Sequence, residues 1–157
     1  VLNRLLLLSR AEAVTPYRDT TLAVFQQNRV ASWQWFAEIE RRPCGMCVAL
    51  HGRVFPLADP FATHLGCRCL PVPVLPSAPL PVIIGGHAWL AGQDAATQLA
   101  VLGPSKLAHY LSGALALDDL ITEGALPAGR RARRETTLRD LGLERVSRPA
   151  AGAQAPK

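Results

Sequence analysis

The sequence predicts an α+β fold, in which a small metal-stapled β module is preceded by a helix and followed by a Pro-rich linker and short helices. Three observations predict it. Four cysteines and one histidine fall within 26 residues, as Cys44-Gly-Met-Cys47 and His64-Leu-Gly-Cys67-Arg-Cys69. Large apolar residues alternate from Ser32 onward, the period of a strand, just ahead of the first cysteine pair. Helix start and stop residues precede that strand and recur beyond a stretch holding five prolines between 71 and 81.

Taken in order, Thr15-Pro16 followed by Tyr17, Thr21, Val24, Phe25 and Asn28 predicts a helix over about 15–28, from an N-cap, a first-turn proline and an apolar stripe. Ser9 to Glu12 offers a capping box for a shorter piece ahead of it, and a single longer helix would enclose Pro16. Leu5 to Leu8 is too short to span a bilayer and lacks a signal-cleavage pattern, so it reads as the end of a buried helix. The chain opens at Val1 directly into apolar sequence, which is the expectation for a start that has lost preceding material or is mis-set. Trp33, Trp35, Ala37 and Ile39 alternate with Gln34, Phe36, Glu38 and Glu40 and predict a strand with the first set inward. A second strand is expected over 53–57 after His51-Gly52, and a third over 67–74, where Pro71 and Pro73 confine it to an edge. Gly85-Gly86 ends the linker. Beyond it come Trp89-Leu90, an apolar pattern at Leu99, Val101 and Leu102 closed by Gly103-Pro104, a helix from Pro104 to Ser112 capped by Gly113, and a short one over Leu117 to Ile121. The domain reading is therefore 1–75 for the metal module, 76–86 for the linker, 87–146 for a small helical region and 147–157 for a disordered tail.

At 157 residues, 49% of them apolar but only 6% aromatic, with 13 prolines, the chain holds one modest core interrupted by turns. A net charge of +5 comes almost wholly from arginine and is spread along the chain, so neither half reads as a dedicated nucleic-acid arm. Arg130, Arg131, Arg133 and Arg134 form the one dense run; it reads first as a solvated arm or helix start and second as a phosphate contact. No phosphate loop, nucleophile elbow or H-E-x-x-H motif occurs. His51 before Gly52 reads as a structural turn residue, His87 and His109 as surface or packing residues, and Asp118-Asp119 as helix-start acids.

The chemistry is carried by C-x2-C-x16-H-x2-C-x-C: five soft or borderline ligands for a tetrahedral site that needs four. Cys44 and Cys47 can bite one ion across a tight turn at Gly45, and alternation around Arg68 turns the Cys67 and Cys69 sulfurs the same way. We take zinc as the ion, in a structural role, held by Cys44, Cys47 and Cys67 with either His64 or Cys69 as the fourth ligand. Two disulfides are the alternative, and the clustering of the pairs suits metal better than long-range stapling. Pro43-Cys44-Gly-Met-Cys47 matches half of the zinc-deaminase signature, but no His or Cys precedes Cys44 to supply the other half.

The string Trp33-Gln-Trp35, Cys44-x-x-Cys47-x-x-Leu50-x-Gly52-x-x-Phe55, His64-x-x-Cys67-Arg68-Cys69 resembles the phage Mu protein F-like family of minor head (head morphogenesis) proteins. The resemblance is strongest over 31–75, extends to Arg10-Ala-Glu12, and touches Trp89-Leu90, Gln98, Leu102-Gly103-Pro104, Gly113 and Leu120. The family's long N-terminal helical region has no counterpart here, and Glu40 and Pro43 depart from the usual Asp and Thr without removing a ligand. The resemblance implies a non-enzymatic protein of a tailed-phage or prophage head, made in the bacterial cytoplasm and built into the virion at the portal vertex. Its partners would be portal or capsid proteins, with DNA within reach of the arginine run and neither membrane nor small-molecule substrate. A zinc-dependent nuclease or toxin-associated module, using His51 or His64 as base, and a nucleic-acid-binding zinc module, using Arg53, Arg68 and the 130s arginines, are the competing readings.

Overall fold

The computed structural model describes residues 2–40, 42–76, 83–125 and 131–146. Four helices and two small antiparallel sheets make up the described chain, so the α+β class holds. Most of the expected linker, Arg130 and the expected tail lie outside the described residues.

Helix α1 (Leu2–Gln27) runs straight through Pro16, joining the two helical pieces that the sequence reading separates. A mid-helix proline removes one backbone bond, and here the helix continues on both sides of it. Its inward stripe is rotated by one residue from the expected one. Arg18, Leu22 and Phe25 pack inward, whereas Tyr17 and Val24 face solvent, as do Leu2 and, of the run expected to be buried, Leu5 and Leu6.

Strand β1 (Ser32–Phe36) is the centre of a sheet ordered β2-β1-β3, with β2 at Val54–Pro56 and β3 at Leu70–Val74. β1 stops at Phe36, short of the expected Glu40, because the Ala37 N–H turns to the His51 imidazole, 3.0 Å away. Trp35 exchanges backbone bonds with Arg53 and Gly52 on the β2 side, so Pro71 and Pro73, opposite Trp35 and Trp33, turn their nitrogens away from β1. The outer edge of β3 therefore lacks two donors that another strand would need. Trp33 and Trp35 are fully buried; Trp33 stacks on Phe55 at 4.7 Å and Trp35 on Phe61 at 4.4 Å.

Between the strands lies an element the sequence reading takes as a tight turn: helix α2 (Gly45–Leu50), six residues, all buried. Gly45 is required by close approach, since a Cβ there would meet the Leu120 side chain at 2.5 Å. A helix apolar on every side serves two cores. Met46, Cys47 and Leu50 join the tryptophan cluster, while Val48 and Ala49 join Leu90, Leu102, Leu115, Leu117 and Leu120.

That second core is built by α3 (Gly86–Ala91), α4 (Ala95–Leu111) and a 3-10 turn at Leu117–Leu120. α4 is two helical pieces joined at Gly103 (φ 73°, ψ 166°) just before Pro104, which is the break that Gly103-Pro104 signals. The arginine run is a correction: Arg131–Glu135 is strand β5, paired with β4 (Ile121–Ala125) in a hairpin, and not an arm or helix start. Arg133 is only 3% exposed; its guanidinium lies 4.9 Å over the Phe55 ring, bonds Glu123 at 2.6 Å and reaches Asp59 at 3.5 Å. Arg131 pairs with Asp59 and Glu123, and Arg134 with Asp140.

Arg133→Met is expected to lower stability by about 2 kcal/mol, from the lost cation–π and ion-pair contacts. Arg133 holds the Glu123 carboxyl below its ordinary value of 4.5, so that part of the stabilisation is present above this pH and fades as pH falls below it. Urea unfolding followed by tryptophan fluorescence should show the gap between variant and wild type narrowing in acid.

Candidate metal centre

The five sequence-predicted ligands fall into two overlapping groups that share Cys47. Cys44 is the N-cap of α2, its sulfur accepting the Cys47 N–H at 3.4 Å, which places both sulfurs of the first pair on one side of the helix start. The second cluster is set by a turn over Leu65-Gly66, closed by the Cys67 N–H on the His64 carbonyl, with Gly66 at φ 77° where a side chain would be strained. Cys67 to Cys69 lie just before β3, which begins at Leu70, later than expected. The predicted alternation nevertheless holds: both sulfurs are buried and Arg68 points outward to Glu38, 3.1 Å away.

Three of the spacings are those of ligands on a tetrahedral ion. Ligand bonds of zinc's length place neighbouring sulfurs about 3.8 Å apart and sulfur and nitrogen about 3.5 Å apart. The Cys47 and Cys67 sulfurs are 3.8 Å apart, and the His64 Nε2 lies 3.3 Å from the sulfurs of both Cys44 and Cys47. His64 Nδ1–H donates to the Leu65 carbonyl at 2.8 Å, which leaves Nε2 as the atom aimed at the sulfurs. Cys44, Cys47 and His64 form one potential metal-holding group and Cys47, Cys67 and Cys69 another, with Cys47 in both. All four cysteines are free thiols, so the disulfide alternative is set aside.

Without an ion the cluster separates charge internally. A hydrogen bond from Cys47, then one from His64, hold the Cys44 thiol down at about 6, and a bond from Cys47 also draws Cys67 well below the ordinary thiol value. Cys47 is pushed up by its bond to Cys44, and Cys69 is pushed up to about 12, where the pull of Cys47 is outweighed by Cys67 and burial. Bonds to Cys44 and Cys67 raise His64 to about 11, making it an imidazolium. An ion ligated by Cys47 and His64 must displace both protons. Metal affinity is therefore expected to rise on the order of 100-fold per pH unit between pH 6 and 8, measured by competition with a chromogenic chelator.

Two residues of the site escape sequence reasoning. Arg18, 4% exposed, reaches from α1 to the Cys67 carbonyl (2.6 Å), the Cys69 carbonyl (3.0 Å) and Thr63 (3.2 Å), and so fixes the backbone that carries both sulfurs. The buried Trp35 indole nitrogen has no hydrogen-bond partner, and Trp35 shares a core with Cys69. Arg18 was detectable as a charge on the inner face of a helix, four residues before Leu22 and seven before Phe25. His51 is the structural residue expected: burial lowers its pKa and its Nδ1 accepts the Ala37 N–H, which engages it away from the sulfurs. His87 is the surface residue expected, and it bonds Asp118 at 2.6 Å beside Arg53. His109 bonds the Glu144 carbonyl at 2.8 Å. Half-buried Cys44 and His64 face a cleft of about 1860 Å³ between α1 and the arginine-bearing strand, which offers an ion a way in.

No helix of the described residues is long and apolar enough to cross a membrane. No curated protein and no solved structure matches the chain. Residues 2–72 match the family model described as phage Mu protein F like protein, a stretch that contains α1, the sheet through Val72 and all five candidate ligands. Over those residues the chain is similar to the phage Mu protein F-like family.

Proposed function

We propose that this is a structural and assembly protein of a tailed-phage or prophage head, a minor capsid component acting at the portal vertex, whose fold is held by one structural zinc ion. The family match over 2–72 carries the reading, and the convergence of its Cys/His residues supports the zinc. Zinc is favoured over harder ions because thiolate and imidazole are the whole donor set. Five candidate protein ligands for an ion that takes four leave no need for a reacting water, which argues for a non-enzymatic role. Arg131, Arg133 and Arg134 already have carboxylate partners, so DNA contact through them would compete with existing ion pairs and is the weaker part of the partner reading.

The test is sedimentation of procapsids assembled with and without portal protein, probed for this chain. It should travel with portal-containing particles only, and Cys44→Ser should lose that association together with thermal stability. A chain absent from both kinds of particle, or present equally in both, would overturn the portal-vertex reading.

A further inference from the structure

We propose that the outward side of α1 is a self-association surface, on which a second copy of this chain lays its own α1 antiparallel to the first. α1 has two distinct sides. Arg18, Leu22 and Phe25 turn to the sheet. At about 100° per residue, the opposite side carries Leu2, Leu6, Ser9 and Ala13, continued by Pro16, Thr20, Ala23 and Gln27, and all of them are exposed. None is charged, and Tyr17 and Val24, 60% and 46% exposed, widen the strip with further apolar surface. An uncharged strip that runs the length of a helix on its solvent side marks a contact. The half of α1 ahead of Val14 needs one for a second reason: every described side chain there is exposed, and a helix of about 12 residues held by no packing is marginal in water.

The pattern of the strip selects a copy of itself. From Leu2 to Gln27 its steps alternate between four and three residues, beginning and ending on four, so the spacing reads the same from either end. Two such helices laid antiparallel meet in register at every layer, as a two-fold contact requires. Leu6 of one copy then faces Ala23 of the other, Ser9 faces Thr20, and Ala13 faces Pro16 beside the two-fold axis. The bulkiest side chain of these layers meets a small one, which lets the helices approach evenly; a parallel pair would stack Leu6 on Leu6 and Ala13 on Ala13. Ser9 turns its hydroxyl back to the Leu5 carbonyl at 2.9 Å, so it enters the seam with its donor satisfied. Strip and sheet lie on opposite sides of α1, which leaves the two bodies outside the helix pair. For a helix of 26 residues, a seam roughly 39 Å long and about 10 Å wide covers on the order of 400 Å² of each copy, the size of a weak and reversible association. The seam holds no ion pair, so salt should not loosen it.

The surface needs neither the metal nor the head-assembly reading. The test is sedimentation equilibrium of the full chain from about 1 to about 300 µM, in low and in high salt. A monomer–dimer equilibrium with Kd on the order of 10–100 µM, no weaker in high salt, is expected. Thr20→Arg, at an exposed position where arginine favours helix more than threonine does, should weaken the dimer at least about tenfold. Leu111→Arg, at an exposed leucine of α4, should leave it unchanged. With benzoylphenylalanine at Leu6, illumination should cross-link one copy to the stretch around Ala23 of the other. A wild-type chain that stays monomeric over the whole range would overturn the proposal without any variant needing to fold, and would give the strip to a helix of another protein. A dimer dissolved by salt, a dimer that Thr20→Arg leaves intact, or a cross-link joining the two Leu6 positions would overturn it as well.

Discussion

Cys47→Ser is expected to cost the chain its metal and its folded state together. Cys47 belongs to both potential ligand groups, so no alternative set of ligands survives its loss. It also sits on α2, whose two sides close the tryptophan core and the Leu90–Leu120 core. A structural zinc site contributes roughly 10 kcal/mol or more of folding free energy. A whole domain of this size is stable by only about 5–15 kcal/mol. Losing the ion therefore removes most of the margin, and both cores should open in one step. The readouts are bound metal per chain and the near-ultraviolet circular dichroism of Trp33 and Trp35, which are fixed only when packed. A Cys47→Ser chain that keeps its tryptophan signal would show that the cores stand without the staple.

Gly86→Ala should damage the second core while leaving the metal in place. The first residue of α3 abuts the end of α2 so closely that a Cβ would lie 1.7 Å from the Val48 carbonyl oxygen and 3.2 Å from the His51 Cβ. The Gly86 N–H also bonds the His51 carbonyl at 3.0 Å, so the backbone cannot retreat without losing that bond. α3 must withdraw, taking the fully buried Leu90 with it. A loss of about 3–5 kcal/mol is expected, the range for overpacking combined with a broken buried contact. All five ligands lie between residues 44 and 69, so bound metal should remain near the wild-type level in the folded fraction. Chemical denaturation with metal analysis separates the two effects. Stability within about 1 kcal/mol of wild type would contradict the close packing of α2 and α3.

The site was legible in the sequence because its chemistry uses residue types that do little else at that spacing, and the alternation around Arg68 oriented two sulfurs correctly even though the strand begins later. Helix α2 was illegible for the opposite reason: Gly-Met-Cys-Val-Ala-Leu is uniformly apolar and too short to show a period, so nothing separates a helix buried on all sides from a loop. The β4–β5 hairpin was hidden because Arg-Ala-Arg-Arg-Glu carries no β-branched or aromatic residue. Its pairing rests on cross-strand charge, with Glu123 directly opposite Arg133, and on Arg133 covering Phe55, which is remote in sequence. Pro16 misled in a third way. Its N1 preference is real, but the burial of Arg18, Leu22 and Phe25 against the sheet favours one continuous helix over the loss of a single backbone bond.

The most direct measurement of the metal-stapled fold is the zinc content of chain purified without added metal, by elemental analysis, together with the reactivity of its thiols. One zinc per chain is predicted, with the cysteines protected from a thiol reagent until a chelator is added and the tryptophan signal lost as they become reactive. Metal-free chain whose four thiols react at once while Trp33 and Trp35 stay packed would contradict it.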